Sequence, residues 1–311
     1  MPTRFQFLAD ARAPMSARDL GALARRAEEA GFHGFVVPDH LMDQLSPVPA
    51  MAAVAAATER LRIGGFVLNN DLRHPAVLAQ DLASLDVLSE GRLDVAIGAG
   101  WNRPEYEAIG LAFDEGPTRV GRLEEAVAVL KGCFADGPFS FAGRHYRISD
   151  FDAGPRTVQR PHPPFMIGGG GKRILSLAAR EAQVVGLAPT APSGTLRRFV
   201  RETTREQVAW VREAAGDRFD GLVLNVYPSF HPLTITDDAR GEARRVADAL
   251  RRHAGVDLTD DEVLDSAHLY IGSLDSLVEK IAGIRQELGI SSFMLGEPDE
   301  MWPLVERLAG H

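Results

Sequence analysis

Eight short apolar segments alternating with stretches of helical spacing predict an α/β chain, a (β/α)8 TIM barrel with insertions after several strands. Three observations carry this expectation. The clearest repeat unit runs from Pro75 to Asn102. There Val77, Leu78, Leu82, Leu85 and Leu88 recur at helical spacing, Ser89, Glu90 and Gly91 break the pattern, and Leu93, Val95 and Ile97 alternate as a strand. The 311 residues suit a single domain over 1–311, since barrels of this kind reach that length as one unit. No Gly-x-Gly-x-x-Gly follows the first strand, which weighs against a dinucleotide-binding doubly wound sheet.

Taken in order, Phe5, Phe7 and Leu8 give the first strand, and Ser16 caps a helix through Leu20, Leu23, Ala24 and Ala27 that stops at Gly31. Phe35-Val36-Val37 is the second strand and runs out at Pro38-Asp39-His40. A helix over Met51 to Thr58 leads to a third strand, Leu61 to Leu68, which ends in Asn69, Asn70 and Asp71. The fourth strand ends in Gly98-Ala99-Gly100-Trp101-Asn102. An irregular segment to Pro117 precedes a helix through Leu123, Val127 and Leu130, and the alternating aromatics of Phe139 to Phe151 around Gly143 read as an inserted hairpin. Three prolines keep Gln159 to Pro164 extended, because they fix the backbone and remove amide donors. Phe165-Met166-Ile167 is the fifth strand, passing through Gly168 to Gly171 into a helix with Leu175, Leu177 and Ala178. Val184 to Leu187, Leu222 to Val226 and Phe293-Met294-Leu295 complete the strands. Helices are expected over Leu196 to Glu213, Asp237 to His253, Ser276 to Leu288 and Trp302 to Leu308, with insertions near 99–116, 136–164 and 227–272.

Composition narrows the function classes. A formal charge of −9, from 34 Lys plus Arg against 43 Asp plus Glu, disfavours a general nucleic-acid surface. Cys133 is the single cysteine, so no disulfide framework and no thiolate cluster is expected, and a reducing, cytoplasmic location follows. No apolar run reaches membrane-spanning length, and Met1 to Asp10 lacks a basic region leading into one. Without His-x-His, His-Glu-x-x-His or clustered Cys and His, no catalytic metal is expected, and no Gly-x-Ser-x-Gly elbow is present.

The polar ends of barrel strands converge on one face, which nominates Asp39, His40, Asn69, Asn70, Trp101, Asn102 and the glycine run. Gly168, Gly169, Gly170 and Gly171 enter a helix and so present bare amides and a positive dipole end to an anion. Lys172 and Arg173 add charge, and a phosphate site is the favoured reading over a plain turn. Gly98 to Trp101 either admits a flat ligand against the backbone or makes a tight turn with Trp101 filling a gap. As a histidine, His40 is a candidate for moving a proton, with a hydrogen-bonded structural histidine as the other reading. His74, extended by Pro75, reads as structural, and His162, in the proline loop, as capping an interface or the barrel rim.

Several ordered strings together resemble the bacterial luciferase-like family. They are Ala27-Glu28-Glu29-Ala30-Gly31-Phe32, Val37-Pro38-Asp39-His40, Arg73-His74-Pro75, Leu85 to Arg92, Gly98-Ala99-Gly100-Trp101, Gln159 to Gly171 and Ile271-Gly272-Ser273. Leu68 to Pro75 is most similar to the actinobacterial oxidoreductases that use the deazaflavin F420. The resemblance covers nearly the whole chain. It implies a homodimer whose barrel binds coenzyme F420, or alternatively FMN, at the carboxyl ends of the strands and acts on a small-molecule substrate. It assigns cofactor binding to Asp39, Phe66, Val67, Leu68, Asn69, Gly100, Trp101, Gly168, Gly169, Gly170, Gly171 and Lys172, and catalysis to His40. It further implies a non-prolyl cis peptide between Phe66 and Val67, bulging toward the cofactor ring, with Gly64 and Gly65 relieving the crowding beside it.

The reaction so implied is F420-dependent hydride transfer. An FMN-dependent monooxygenase is the alternative, and a barrel acting on a phosphorylated metabolite without redox chemistry, or a non-catalytic cofactor binder, stands further off. Two positions depart from the family pattern: Trp101 stands where many F420 enzymes carry an acidic residue, and Gln183 where an Asp usually opens the sixth strand.

Overall fold

The structure is a computed structural model that describes residues 4–11, 13–189, 199–227 and 233–309. The fold is the expected (β/α)8 barrel, with parallel strands separated by helices. In chain order come β1 (Gln6–Asp10), α1 (Ala17–Glu29), β2 (Gly34–Val37), α2 (Pro47–Ala57), β3 (Arg62–Gly65) and β4 (Leu68–Asn69). Then follow α3 (Pro75–Leu88), β5 (Leu93–Gly98), α4 (Arg103–Ala108), α5 (Gly116–Phe134), the hairpin β6 (Phe139–Ala142) and β7 (Arg147–Phe151), and β8 (Phe165–Gly169). The remainder is α6 (Lys172–Glu181), β9 (Val184–Leu187), α7 (Arg201–Ala215), β10 (Val223–Val226), β11 (Thr234–Ile235), α8 (Ala239–Ala254), α9 (Asp260–Asp265), β12 (Ile271–Gly272), α10 (Leu274–Leu288), β13 (Ile290–Phe293) and α11 (Pro298–Leu308).

Several elements differ from the sequence expectation. The second helix starts at Pro47 rather than Met51, because a proline in the first turn gives up an N–H that has no helical partner there. The third strand is broken into β3 and β4 by a cis peptide between Phe66 and Val67, the bond the family resemblance implies. The segment after Trp101 contains α4, opened by Pro104, instead of being wholly irregular. The last strand occupies Ile290–Phe293 and not 293–295. It follows directly on Gly289, whose φ of 72° ends α10, and its Ser291 and Ser292 are buried although their type reads as loop. The expected helix start at Leu196 lies outside the described residues, and α7 is helical from Arg201.

The chain forms two compact units, one of Ala11–Glu28 and Gly34–Ile167, the other of Met1–Asp10, Glu29–His33 and Gly168–His311. In the first, β2 pairs in parallel with β3, β3 with β5, and β4 with β5. Phe35, Ile63, Leu93, Val95 and Ile97 are buried along these strands, with Leu78, Leu82 and Leu85 of α3. Glycine is needed at two places in β3. A Cβ on Gly64 would lie 2.8 Å from the Asp94 carbonyl oxygen, and one on Gly65 would lie 2.7 Å from Leu68 Cγ. Carboxylates then fix the loops. Glu28 accepts the backbone N–H groups of Arg60 and Leu61 at 2.6 and 2.8 Å, and buried Asp86 accepts those of Val158 and Gln159 at 2.6 and 3.0 Å, anchoring the proline loop. Glu125 accepts the N–H groups of Arg144, His145 and Tyr146 in the hairpin turn. Burial works to raise its pKa, but these three bonds win and hold it below the ordinary carboxylate value.

In the second unit, β9 pairs in parallel with β10, β10 with β13, and β13 with β1, with Phe7 opposite Phe293. The Phe7 and Phe293 rings stack at 5.9 Å, and Tyr270 meets Phe293 edge-on at 6.3 Å. The excursion after β10 carries a cluster of its own. Ala243, Val246, Ala247 and Leu250 of α8 pack with Val256, Leu258, Val263, Leu269, Ile271 and Phe199.

Candidate active site

In the first unit several polar side chains stand where strands end. β2 gives way to Asp39 and His40, β4 to Asn70 and Asp71, and β5 to Gly100 and Trp101. Asp39 is buried and fully engaged. Its Oδ2 accepts the Asn69 backbone N–H at 2.9 Å, and Arg73 grips both carboxylate oxygens at 2.6 and 3.1 Å. This carboxylate therefore shapes the turn after β4 and leads the chain into α3.

His40 is partly exposed and has two ring contacts. Its Nδ1 lies 3.0 and 3.2 Å from the two carboxylate oxygens of Glu105, while the Trp101 ring meets it edge-on at 5.5 Å. A carboxylate only accepts, so Nδ1 carries the hydrogen and Nε2 is left as the acceptor nitrogen of the neutral ring. Glu105 is buried on α4, whereas Trp101 is 70% exposed and offers a flat apolar face to solvent.

Against Gly100 lies a buried polar network. Tyr106 is fully buried, donates to Asn69 Oδ1 at 2.9 Å and also lies 3.2 Å from Asp71 Oδ2. Burial, helped by the Asp71 charge, pushes its phenol up to about 12. Asn69 Oδ1 also accepts the Asp71 N–H at 3.0 Å, and Arg122 pairs with Asp71 at 3.1 Å and with Asp114. Burial alone would lower the Arg122 pKa; the Asp71 and Asp114 charges overcome it and raise it. Arg119 donates to the Ala99 carbonyl at 3.0 Å and to that of Gly100, with its guanidinium 4.1 Å above the Phe113 ring. Gly100 has a φ of 71°, and a Cβ there would collide with the Tyr106 hydroxyl and with Asn69 Oδ1.

The sequence-nominated residues thus divide by what each presents. Leu68 is fully buried and presents no surface, and the Asn69 side-chain oxygen is committed to the network. Phe66 and Val67 are half-buried at the cis peptide, with the Phe66 N–H donating to the Val37 carbonyl at 2.9 Å. Asn70 is buried, donates to the Tyr146 hydroxyl at 3.2 Å, and its Oδ1 has no hydrogen-bond partner. His74 caps α3 by accepting the Ala76 N–H at 3.2 Å, the structural part expected of it. Glu105, Tyr106, Arg73 and Asp71 were not nominated; for Glu105 and Tyr106 the available signal was Asn102-Arg103-Pro104, a helix start directly after the fourth strand.

In the second unit, Gly168 and Gly169 close β8, and Gly171 stands at the N-terminus of α6 without a side-chain cap. The Leu175 N–H donates to the Gly171 carbonyl, so α6 begins at Lys172 and its first-turn amides have no carbonyl of their own helix to bond. A Cβ on Gly171 would meet nothing within 4 Å, which leaves open space at this helix end, as an anion cradle requires. The Lys172 ammonium lies 2.9 Å from Glu213 in an exposed pair, so its charge is directed at α7.

Comparison with known proteins places the chain among its relatives. Residues 2–292 match the family described as luciferase-like monooxygenase. An FMNH2-dependent dimethylsulfone monooxygenase of Pseudomonas putida is 34% identical over 164 residues, 51% of this chain and 45% of that protein. An F420-dependent glucose-6-phosphate dehydrogenase of Nakamurella multipartita is 32% identical over 233 residues, 71% of this chain and 65% of that one. The chain thus aligns with about half to two thirds of the length of these curated relatives. The coenzyme F420-dependent tetrahydromethanopterin reductase from Methanopyrus kandleri superposes with a TM-score of 0.78 at 20% identity, covering 99% of this chain and 98% of that one, a likeness of fold. A barrel with a cis peptide after its third strand, a His–Glu pair after its second and a match along nearly its full length leads to one assignment: the chain belongs to the luciferase-like monooxygenase family.

Proposed function

We propose that this chain, acting as one catalytic domain, is an F420-dependent oxidoreductase that moves a hydride between the deazaflavin and a small organic substrate. The observation that carries the reading is the His40–Glu105 pair, because hydride transfer to or from a carbon bearing oxygen must be matched by a proton moving on that oxygen. When an alcohol is oxidised, the C–H bond gives up a hydride, the O–H bond gives up a proton to His40 Nε2, and a carbonyl forms. In the reverse direction protonated His40 returns that proton. Glu105 fixes the ring and steadies the positive charge that His40 gains.

F420 when bound supplies the two-electron redox chemistry; the chain supplies position and electrostatics. The Phe66–Val67 segment, Gly100 and Trp101 would hold the ring system, with Asp39 and Asn69 setting the backbone beside it, and the Gly168–Gly171 turn would take the phosphate. FMN with molecular oxygen is the second reading, favoured by the dimethylsulfone monooxygenase relative. Titration with F420 and with FMN, followed by cofactor fluorescence, decides between them. Tight F420 and weak FMN binding is the expected result, and the opposite order overturns it.

Two further parts of the proposal concern the assembled protein. A homodimer fits the prevalence of two-fold assemblies, and sedimentation as a monomer at micromolar concentration would contradict it. A cytoplasmic setting rests on the single, buried cysteine. Reactive labelling of Cys133 in the folded protein would argue against its being an inert core thiol.

A further inference from the structure

Gln207, in the middle of α7, is fully buried and lies against the glycine turn. Its Nε2 donates to the Gly170 carbonyl at 3.0 Å and to the Ala188 carbonyl at 2.8 Å. The Ala188 N–H in turn donates to the Gly169 carbonyl at 2.9 Å. The turn after β8 and the residue after β9 are thereby tied together, with one side chain bonded to both. Two carbonyl acceptors settle which way the amide faces, since only its NH2 group can serve them. The consequence is that Oε1 points elsewhere, and it is buried with no hydrogen-bond partner. An apolar side chain of similar size would avoid the cost of a lone buried acceptor, so the two bonds to the turn are what favours glutamine here.

The bond to Gly170 has a directional effect. In a trans peptide the C=O and the N–H point in opposite directions, so drawing the Gly170 carbonyl toward α7 turns the Gly171 N–H away from α7. That N–H stands at the start of α6, beside the open space at Gly171. We propose that Gln207 is a positioning residue for the cofactor's phosphate: it holds the Gly170–Gly171 peptide in the orientation that aims the Gly171 amide at the anion. The proposal rests on the reading of the glycine turn as the phosphate site, and its test separates the two.

Dissociation constants are measured by fluorescence for two pairs of probes, FMN with riboflavin and F420 with its phosphate-free deazaflavin core. The first pair gives the factor by which the phosphate tightens binding, and the second the factor for the phosphate together with the lactyl-glutamyl tail it carries. The wild-type protein is expected to show a clear preference for the phosphate-bearing member of the pair it binds. In Gln207→Leu that preference falls at least tenfold, while the phosphate-free probe binds within about twofold of wild type. Gln207→Met, which keeps an unbranched stem, serves as the second variant if Gln207→Leu melts early. A preference unchanged in both variants overturns the positioning role, and so does an equal loss for both members of a pair, which would mark Gln207 as merely structural. No preference in the wild-type protein would instead remove the phosphate site itself, and the positioning role with it.

Discussion

The buried polar groups of the two units are treated differently. In the unit that carries His40, Asp39 is matched by Arg73 and the Asn69 amide, Tyr106 by Asn69 and Asp71, and Asp86 by the proline loop. Asn70 Oδ1 is the exception among the described residues of that unit. In the other unit, buried Thr204 Oγ1, Gln207 Oε1, Asn225 Oδ1 and His268 Nε2 all lack a partner. The first unit holds its chemistry in side chains locked by mutual bonds, so its weak points are steric. The second presents backbone amides from a glycine turn, and its side chains hold that backbone while part of their own capacity goes unused, so its weak points are electrostatic.

The largest expected effect breaks the locked network. Gly100→Ala places a methyl against the Tyr106 hydroxyl and Asn69 at a positive φ, and should cost about 3 kcal/mol or more in stability, with cofactor binding lost alongside. Urea unfolding of this variant, alone and combined with Tyr106→Phe, is the measurement. Removing the hydroxyl should recover part of the loss, and strictly additive effects would show that the collision is not the cause.

A comparable effect in the other unit is read against pH. Burial first, then the nearby Lys280 charge, lowers the His268 pKa to about 4 against a bond to the Tyr227 carbonyl that raises it. The folded state therefore binds fewer protons than the unfolded state between pH 6.5 and about 4, and stability is lost as pH falls through that window, by about 3 kcal/mol. Lys280, lowered to about 7 mainly by burial while donating to the Leu264 and Leu269 carbonyls, gives the same sign in a higher window. Its contribution makes stability rise as pH climbs from about 7 to 10.5. Melting temperatures of wild type and His268→Asn across pH 4 to 7 test this, and parallel curves would dismiss the histidine as the source.

The smallest effect sharpens the account of the glycine turn. If the charge of Lys172 is spent on Glu213, Lys172→Ala changes cofactor affinity by no more than about twofold and stability by less than about 1 kcal/mol, as exposed pairs do. A tenfold weakening would return Lys172 to the phosphate site.

What the sequence made legible was local. The α3–β5 unit could be read because its apolar spacing changes period at Ser89 to Gly91, and the glycine turn because four consecutive glycines enter a helix. The break between β3 and β4 was not visible in the apolar run from Leu61 to Leu68, and came only from the family resemblance. The partner of His40 was hidden for another reason: Glu105 lies 65 residues away, and no spacing rule connects two loops that meet only in the folded chain. Gly100 was recognised as special, but the reason, a tyrosine hydroxyl packed where a side chain would begin, belongs to tertiary packing.

The excursion after β10 has a consequence for how such a protein changes over time. α8 and α9 bury their apolar faces against each other and against Phe199, Leu269 and Ile271, a core distinct from the strand-borne aromatic stack of Phe7 and Phe293. β11 and β12 form a two-residue parallel pair at its base, with Thr234 opposite Ile271 and Ile235 opposite Gly272. An insertion that brings most of its own core can vary on its outer faces without forcing a strand to repack, provided Tyr270 keeps its contact with Phe293 and Lys280 its bonds to the Leu264 and Leu269 carbonyls. The outer faces of the segment from 233 to 272 are therefore where a lineage can change the surface of the protein while inheriting the strand-borne cores unchanged.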